Sequence, residues 1–297
     1  MVQAWTLAPA KYKQIHFKNF QKNDRLLDLT TPQIMGILNF TPDSFSDSGK
    51  FFSLDKALFQ AEKMLADGAS IIDIGGESTR PNAAIVSLEQ ELERVVPVVE
   101  AIRSRFDCLI SVDSSKAEVF KESAKVGMDI INDIRALTEP NALAAAVELG
   151  LPVCLMHMQG NPQTMQQNPH YDDVLEDVAD FLNQRIFECI TAGIPKEHII
   201  LDPGFGFGKS VKHNYQLLKH LKAFVDSGFP VLAGLSRKSM IGAVLDKPVE
   251  QRLLGSVVGA LLAAQNGAKI LRVHDVAETA DALKIWQAML ESDNEEK

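Results

Sequence analysis

The chain has 297 residues, of which 46% are hydrophobic and 23% are charged, and its formal net charge at pH 7 is −9. These proportions are typical of a globular protein with a sizeable core, and the length allows one large domain or two ordinary ones. The acidic balance argues against nucleic acid or an anionic membrane as a partner, because both require basic patches. It does not exclude an anionic small-molecule substrate, since a few local cations can dominate a cleft.

The cysteines and the amino-terminal segment bear on the compartment. Cys108, Cys154 and Cys189 are scattered without metal-site spacing, so neither a zinc site nor a disulfide framework is expected. Cys108 and Cys154 lie in or beside apolar runs and are predicted to be small core residues. The first residues show no cationic stretch followed by an apolar one, so no signal peptide is expected. No apolar run is long enough to span a bilayer. A reducing, cytoplasmic location is the resulting expectation.

Short runs rich in β-branched residues alternate with longer amphipathic stretches along the chain. Strands are predicted at residues 34–38, 70–74, 109–112, 129–131, 152–156, 198–201, 230–233 and 269–273. Apolar side chains three and four residues apart predict helices at residues 54–67, 88–104, 117–126, 142–149, 174–192, 215–227, 251–266 and 276–292. Glycines just past six of these stretches mark the expected helix ends, at Gly68, Gly127, Gly150, Gly193, Gly228 and Gly267.

Eight strand–helix units in a chain of this length predict an α/β protein with a single (β/α)8 TIM barrel. A doubly wound sheet is the main alternative, although it would usually need fewer units or a second domain. No linker divides the chain. Residues 1–32 are predicted to form a short N-terminal extension packed on the barrel, residues 33–292 the barrel, and residues 293–297 a polar tail.

Polar or ionisable residues follow every predicted strand. Ligands bind at the carboxyl ends of parallel strands in such folds, so these side chains should form a ring around one mouth. The ring contains acceptors at Asp113, Asn132 and Asp202, cations at Arg80, Lys238, Arg272 and His274, and an oxygen-rich segment at Asn39, Thr41 and Asp43.

The ring divides into three chemical parts. Carboxylates can accept paired N–H bonds from an amino-pyrimidinone edge, so the acceptors suit a flat, donor-rich heterocycle. The cations suit phosphate or pyrophosphate. Asn39 and its neighbours offer oxygen ligands for a hard cation such as Mg²⁺.

Each residue also has a structural interpretation when it is taken singly. Asn39 could be a turn or N-cap residue, and Asp113 could cap the helix that follows it. Arg237 and Lys238 could be a surface pair. The glycine-rich run at residues 204–210 mimics a phosphate-binding loop, but Pro203 stands where the nucleotide-binding motif needs glycine, so nucleotide triphosphate binding is rejected there. Separate structural roles explain a complete ring poorly.

Eight segments in order along the chain resemble those of the dihydropteroate synthase family: residues 35–49, 71–81, 111–116, 130–137, 155–160, 201–209, 234–242 and 270–276. The resemblance implies a (β/α)8 barrel of folate biosynthesis. Such a barrel condenses 6-hydroxymethyl-7,8-dihydropterin pyrophosphate with p-aminobenzoate, releases pyrophosphate and is the target of sulfonamides. It also implies a homodimer, for which the candidate residues are Leu253, Val257, Leu261, Ile285, Trp286 and Met289. The same residues could be ordinary core.

The resemblance implies a role for each ring residue. Asn39 would bind Mg²⁺ and, with Arg272 and His274, the pyrophosphate. The pterin would be held by Asp113, Asn132, Met156, Asp202 and Lys238. The p-aminobenzoate site and its two covering loops would be framed by Thr41, Phe45, Thr79, Arg80, Pro81, Phe207, Lys238 and Ser239. Phe40, Ser48, Asn82 and Ser114 depart from the residues usual in the family, and two of them lie in these loops.

The reaction implied has no need of a serine or cysteine nucleophile. The aniline nitrogen of p-aminobenzoate is a weak nucleophile, so a dissociative route is favoured in which pyrophosphate leaves before the amine attacks. The catalytic residues would be Asn39, Asp113, Asp202, Lys238, Arg272 and His274. Two rival functions share the pterin pocket: a methyltetrahydrofolate-using methyltransferase and a non-catalytic pterin-binding paralogue. The segments at residues 39–49 and 236–238 favour the synthase.

Overall fold

The computed structural model describes residues 14–17, 25–40, 50–78, 86–161 and 164–292, with the backbone alone for residues 16–17 and 50–53. Ten strands are described in this part of the chain: β1 (Gln14–Phe17), β2 (Arg25–Asp28), β3 (Gln33–Asn39), β4 (Ile71–Gly75), β5 (Leu109–Asp113), β6 (Ile130–Asp133), β7 (Val153–Met156), β8 (Ile199–Asp202), β9 (Leu232–Ala233) and β10 (Ile270–Val273). The α-helices there are α1 (Lys50–Ala66), α2 (Leu88–Arg105), α3 (Ala117–Lys125), α4 (Ala142–Leu149), α5 (Val174–Ala192), α6 (Val211–Lys219), α7 (Lys222–Val225), α8 (Ser239–Leu245), α9 (Leu253–Gln265) and α10 (Val276–Glu291).

Strands β3 to β10 form the barrel. They are hydrogen-bonded in the order β8-β7-β6-β5-β4-β3-β10-β9, and the neighbouring pairs are parallel. A parallel bridge between Leu201 and Val231 brings the two edges of this sheet together. The predicted single (β/α)8 barrel is therefore confirmed, and the doubly wound alternative is not what the chain adopts.

The predicted helix at residues 215–227 is wrong in its bounds. The structure has two helices there, α6 and α7. The first of them begins earlier than predicted, because Ser210 forms a capping box with His213. The amide of Asn266 donates to the carbonyl of Leu218 at 3.2 Å, which satisfies a group that a continuing helix would have used. The antiparallel pair β1–β2 was not predicted at all.

The barrel interior is built in layers. One apolar residue from each barrel strand contributes to a buried cluster at the amino ends of the strands: Met35, Ile71, Leu109, Ile130, Cys154, Ile200, Leu232 and Ile270. Ile15, Leu27 and Leu29, from the β1–β2 pair and its end, belong to the same cluster and cover this floor. Because side chains alternate along a strand, the positions two residues further on also face inward.

That second inward layer is mostly polar. It contains Asp73, Ser111, Asn132, Asp202 and Arg272, of which the first four are buried. The intervening strand residues pack against the helices in a larger core cluster. Along the inward face of the barrel, an apolar layer at the amino ends of the strands is therefore followed by a layer of polar side chains nearer their carboxyl ends.

Several predictions about the whole chain bear on this description. Cys108 and Cys154 are buried, as predicted, and Cys189 is buried as well. Within the described ranges, no helix combines the length and the apolar character needed to cross a bilayer. The domain bounds at residues 32 and 293 stay predictions, since residues 1–13, 18–24 and 293–297 lie outside the described part of the chain.

Candidate active site

Arg272 lies between two carboxylates at the centre of the mouth. Its Nε donates to Asp73 Oδ2 and its Nη2 donates to Asp113 Oδ2, each at 2.7 Å. Burial by itself lowers the pKa of the guanidinium, but the two carboxylates together raise it. Burial also raises the pKa of Asp113, to about 7, against the opposing effect of Arg272. The three side chains therefore form one buried group of charges.

Asp73 also orients Asn132. Asn132 Nδ2 donates to the two carboxylate oxygens of Asp73, at 3.2 and 3.4 Å. A carboxylate held by a guanidinium accepts hydrogen bonds only, so it must face the amide nitrogen of Asn132 rather than the oxygen. Asn132 Oδ1 is consequently turned away from Asp73 and is available as an acceptor for a ligand. Asn132 was predicted as an acceptor with an amide able to donate, and in this arrangement its Nδ2 donates to Asp73 while its Oδ1 is left to accept.

Asp202 and Lys238 occupy the opposite side of the mouth. Asp202 Oδ1 accepts from the amide of Gly204 at 2.7 Å, and burial raises the pKa of this carboxyl. Lys238 Nζ donates to the carbonyl of Phe205 and lies 4.6 Å from the centre of the Phe207 ring. Burial lowers the pKa of Lys238 to about 8, and Asp202 opposes that shift. Arg272 and Lys238 both lie beside Gly234, where an added Cβ would be 3.7 Å from Arg272 Cβ and 3.9 Å from Lys238 Nζ.

The loop after β8 presents these groups. Lys209 is buried beneath it and donates to the carbonyls of Gly204 at 2.8 Å and Phe207 at 3.0 Å, and its Nζ lies 2.9 Å from His157 Nδ1. Burial lowers the pKa of His157 to about 2, so this histidine is neutral at physiological pH. His157 therefore helps to hold the loop in place through Lys209.

An apolar wall lies beside the polar groups. Met156, Met165 and Phe207 form a buried cluster, against which Ile134 and Met158 pack. Met165 comes from the long connection between β7 and α5, and Gln166 Nε2 in the same connection donates to the carbonyl of Gly206 at 2.5 Å. Flat apolar surface beside convergent acceptors is the environment that a planar heterocycle requires.

His274 and Ser239 complete the described part of the ring. The backbone amide of His274 donates to Ser236 Oγ at 3.2 Å, and its Nδ1 lies 3.0 Å from the same oxygen. Ser239 opens α8 directly after Lys238 and is exposed.

Asn39 stands at the carboxyl end of β3, opposite Gly75 of β4. Because Gly75 has no side chain, a gap remains there. A Cβ placed on it would lie 3.4 Å from Asn39 Oδ1 and 4.0 Å from Asp113 Oδ2. Asp113 Oδ2 is already paired with Arg272, so Asn39 Oδ1 is the hard oxygen left beside this gap. This fits Mg²⁺, which commonly takes few protein ligands and completes its coordination with water and phosphate oxygens. Among the described residues no cluster of three or more His, Cys, Asp or Glu side chains could hold a metal by itself.

The structure thus brings together Asn39, Asp113, Asn132, Met156, Asp202, Phe207, Lys238, Ser239, Arg272 and His274 at one mouth. Thr41, Phe45, Thr79, Arg80 and Pro81, with the two covering loops, lie outside the described residues. Sequence reasoning missed Asp73. The signal was present, because Asp73 is the single charge inside the apolar run at residues 71–74 and lies two residues after the inward Ile71.

Comparisons with known proteins agree with this geometry. A family model described as a pterin binding enzyme matches residues 35–274. The dihydropteroate synthase of Haemophilus influenzae is 73% identical over 266 residues, which cover 90% of this chain and 97% of that protein. A Yersinia pestis dihydropteroate synthase structure with a sulfonamide drug complex has a TM-score of 0.87 at 55% identity, covering 93% of this chain and all of that one.

A Xanthomonas albilineans dihydropteroate synthase in complex with 7,8-dihydropteroate has a TM-score of 0.83 at 46% identity, and the alignment covers 93% of this chain and 98% of that one. Fold, side-chain ring and similarity all run over nearly the same residues. The chain therefore belongs to the dihydropteroate synthase family, the pterin-binding transferases of folate biosynthesis.

Proposed function

We propose that this chain condenses 6-hydroxymethyl-7,8-dihydropterin pyrophosphate with p-aminobenzoate, giving 7,8-dihydropteroate and pyrophosphate. The observation that carries the proposal is the buried polar layer, in which acceptors and cations of the barrel converge on one apolar wall. A related structure holds 7,8-dihydropteroate, which joins the two substrates, and another holds a sulfonamide. We extend sulfonamide sensitivity to this chain on the same grounds.

The pterin ring is proposed to bind through its donor-rich edge. Asp202 and Asn132 Oδ1 supply acceptors, and Asp113 supplies a third beside them. Lys238 supplies a donor for the ring carbonyl, and its seat over Phe207 keeps it at the pocket wall. Met156 and Phe207 cover the ring face. Discrimination against ring systems that lack these donors should be strong, because a buried carboxylate left without hydrogen-bond donors is costly.

The pyrophosphate is proposed to bind at Arg272, His274 and Asn39. Arg272 already balances two carboxylates, so its charge is partly neutralised before a substrate arrives. A multiply charged leaving group therefore needs further positive charge, and Mg²⁺ held by Asn39 would supply it. The metal would neutralise charge on the phosphate oxygens, as it does in other phosphate chemistry.

The chemical step is proposed to be dissociative. The C–O bond to pyrophosphate breaks first, and Arg272, His274 and the Asn39 amide stabilise the negative charge that develops on the leaving oxygen. One well-placed donor of this kind is typically worth roughly 3 kcal/mol of barrier. Asp113 and Asp202 tolerate the positive charge on the pterin-methyl group until the amine of p-aminobenzoate attacks. Together with Lys238, these five residues stabilise charge and position substrate, and none forms a covalent bond.

The p-aminobenzoate is proposed to lie at the outer edge of the mouth, near Phe207, Lys238 and Ser239. Ser239 is exposed at the start of α8, where its hydroxyl and the backbone can meet a carboxylate from solvent. Thr41, Phe45, Thr79, Arg80 and Pro81 are proposed to complete this site.

The direct test is pyrophosphate release from the pterin pyrophosphate with Mg²⁺, measured with and without p-aminobenzoate. Release together with formation of dihydropteroate supports the synthase. Pterin binding with no p-aminobenzoate-dependent product would instead identify a non-catalytic paralogue, and methyl transfer from methyltetrahydrofolate would identify the methyltransferase.

Two variants test the individual roles. Asp202→Ala should abolish pterin binding and leave the fold intact; an unchanged pterin affinity would contradict its assignment. Replacing Arg272 by alanine should weaken pyrophosphate binding far more than binding of the pterin alone. Equal losses for both ligands would show that Arg272 does not serve the pyrophosphate.

A homodimer is proposed through α9 and α10. Leu254, Val258 and Leu262 recur every fourth residue on α9 and are exposed, as are Ile285 and Met289 on α10. Of the six residues suggested by sequence, Leu253, Ile285 and Met289 are exposed, while Val257, Leu261 and Trp286 are half-buried. An apolar stripe of this kind marks a protein–protein contact. Leu254→Glu should give a monomer in sedimentation velocity, and an unchanged sedimentation coefficient would exclude this face.

A further inference from the structure

The loops after β9 and β10 are joined by two adjacent pairs of residues. Ser236 Oγ accepts from the backbone amide of His274 at 3.2 Å and lies 3.0 Å from its Nδ1. The next residue on each loop makes the second pair, in which Arg237 donates to both oxygens of Asp275, from Nε at 3.1 Å and from Nη2 at 2.5 Å. Ser236 and Arg237 of one loop therefore contact His274 and Asp275 of the other. Each loop also carries one proposed ligand of the substrate, Lys238 after β9 and His274 after β10.

The backbone of Arg237 is held in an unfavourable conformation. Its φ is +58°, in the left-handed region, which is unfavourable for a residue other than glycine. Such a conformation persists only where the surroundings over-determine it. Here the amide of Arg237 donates to Ser256 Oγ at 2.8 Å, and its carbonyl accepts from Arg252 Nη1 at 3.1 Å. Both contacts come from α9 and the residue before it, so three segments of the fold meet at Arg237.

The conformation decides where the neighbouring side chains lie. Ser236 is buried against His274, while Lys238 reaches the carbonyl of Phe205 and the ring of Phe207. Lys238 packs closely there, since a Cβ added to Gly206 would lie 3.0 Å from its Cδ. A change of backbone angle at residue 237 would consequently displace Lys238 from its closely packed position beside Gly206 and Phe207.

We propose that the Arg237–Asp275 pair is a clasp that sets the positions of Lys238 and His274, and that Arg237 is a positioning residue for the reaction. This inference rests on the proposed function, because it concerns the same site. The competing interpretation is a surface ion pair of little worth, as is usual for exposed pairs. Asp275 is however buried, with 7% of its side chain exposed, and the pairing is bidentate.

The experiment uses the full-length protein with four variants. Arg237→Gly removes the ion pair but favours the left-handed backbone, and Arg237→Ala removes the pair and keeps the strain. Arg237→Lys retains the charge with a single donor group, and Asp275→Asn removes the partner's charge. Arg135→Ala is the matched control, because Arg135 is another half-buried rim arginine, paired with Glu139 at 3.1 Å.

Thermal unfolding and steady-state kinetics are measured for every variant. Arg237→Gly should be at least as stable as Arg237→Ala, yet both should lose roughly 10- to 100-fold in kcat/KM for the pterin pyrophosphate, because small misplacements of binding groups have effects of this size. Arg237→Lys should recover part of the loss. Adding Asp275→Asn to Arg237→Gly should reduce kcat/KM little further, since Arg237→Gly has already removed the interaction between the two residues. Arg135→Ala should match the unchanged protein.

A second readout does not depend on the reaction. The affinity for inorganic pyrophosphate with Mg²⁺ is measured by calorimetry, and the ¹⁵N shifts of the His274 ring are measured by NMR. Arg237→Gly should weaken pyrophosphate binding and shift the His274 ring resonances selectively among the histidines. Retained kcat/KM, full additivity with Asp275→Asn, or an unmoved His274 would each overturn the clasp. Failure of the proposed function would appear differently, as an unmodified protein that makes no dihydropteroate while His274 still responds to Arg237→Gly.

Discussion

Arg272, Asp73 and Asp113 share a space that is largely closed to water, and each depends on the others for its charge. A buried ion pair that loses one partner typically costs 3–5 kcal/mol, because the remaining charge is left unpaired. Arg272 bonds to both carboxylates at 2.7 Å, and Asp73 bonds to Asn132 as well. Asp73 therefore supports two proposed ligands of the substrate without being a proposed ligand itself.

The charge of Asp73 should be visible in the pH dependence of the reaction. Burial raises the pKa of Asp113, and the negative charge of Asp73 raises it further. If Asp113 acts as the carboxylate, kcat/KM for the pterin pyrophosphate rises as pH increases through this pKa. Asp73→Asn should lower the pKa of Asp113 and so move the acid limb of the kcat/KM profile to lower pH, with a reduced maximal kcat/KM. Asp107→Asn, at an exposed carboxylate paired with Arg25, is the control; an acid limb that stays in place would contradict the argument.

Lys238 should limit the reaction at alkaline pH. Burial lowers its pKa to about 8, so its ammonium group is lost as pH rises through that value. The profile of kcat/KM for the pterin pyrophosphate in the free enzyme should therefore fall above about pH 8. Lys238→Arg keeps its charge at every accessible pH. That variant should be less active but should lack this alkaline limb, and a limb of unchanged position would assign the titration to another group.

At the scale of the element, strands and loops follow different rules. Five of the predicted barrel strands extend one or two residues further than their apolar runs, to Asn39, Gly75, Asp113, Asp133 and Asp202. The backbone pairs in the sheet regardless of side-chain polarity, so a polar residue can end an apolar run and still belong to the strand. The loop after β8 is instead shaped by contacts, since the amide of Gly204 donates to Asp202 and its carbonyl accepts from Lys209.

Two glycines separate the conformational cost from the steric one. Gly204 has φ +72° and an added Cβ would lie 1.8 Å from the carbonyl oxygen of His157, whereas Gly150 has φ +62° with nothing within 4 Å. Gly150→Ala should lower the free energy of unfolding by about 1 kcal/mol. Gly204→Ala should lower it by more than about 3 kcal/mol and impair pterin binding, since the backbone at residues 157 and 204 must separate. Urea unfolding measures both, and equal losses would show that the close approach is not required.

At the scale of the whole molecule, the two ends of the barrel serve different purposes. The mouth carries the polar layer, while the opposite end is covered by Ile15, Leu27 and Leu29. A charged network joins β2 to that end: Asp129 accepts from Arg103 and from Arg25, and its Oδ2 also accepts from the amide of Ile110 at 2.9 Å. Barrel enzymes commonly place stability at this face and chemistry at the other.

Asp129 should affect stability without affecting catalysis. Asp129→Asn leaves two half-buried arginines facing a neutral amide and should cost roughly 3 kcal/mol of unfolding free energy, with KM for both substrates unchanged. Asp281→Asn is the control, because its pair with Lys284 is exposed and should contribute less than about 1 kcal/mol. Denaturant unfolding and steady-state kinetics check this prediction, and altered KM values at full folding would contradict it.

The sequence by itself determined the order of strands and helices, because hydrophobic periodicity is local and can be seen in short windows. It also located Asp113, Asn132, Asp202 and Arg272, since each interrupts or ends an apolar run at the same end of its strand. Only the tertiary structure decided how they are used. Asp73 and Arg272 are 199 residues apart, so their pairing depends on β10 joining the sheet on the other side of β3 from β4.

The same reason applies to the parts that sequence reasoning missed. Asp73 was treated as an ordinary strand residue. Arg237 was interpreted as one half of a surface pair with Lys238. In the fold Arg237 bonds to Asp275, which follows β10. The left-handed backbone of Arg237 could not be foreseen either, because arginine has no preference for it and distant contacts impose it. Local sequence patterns determine the helices and strands of this protein. Long-range contacts between those elements determine which of its polar side chains form the site.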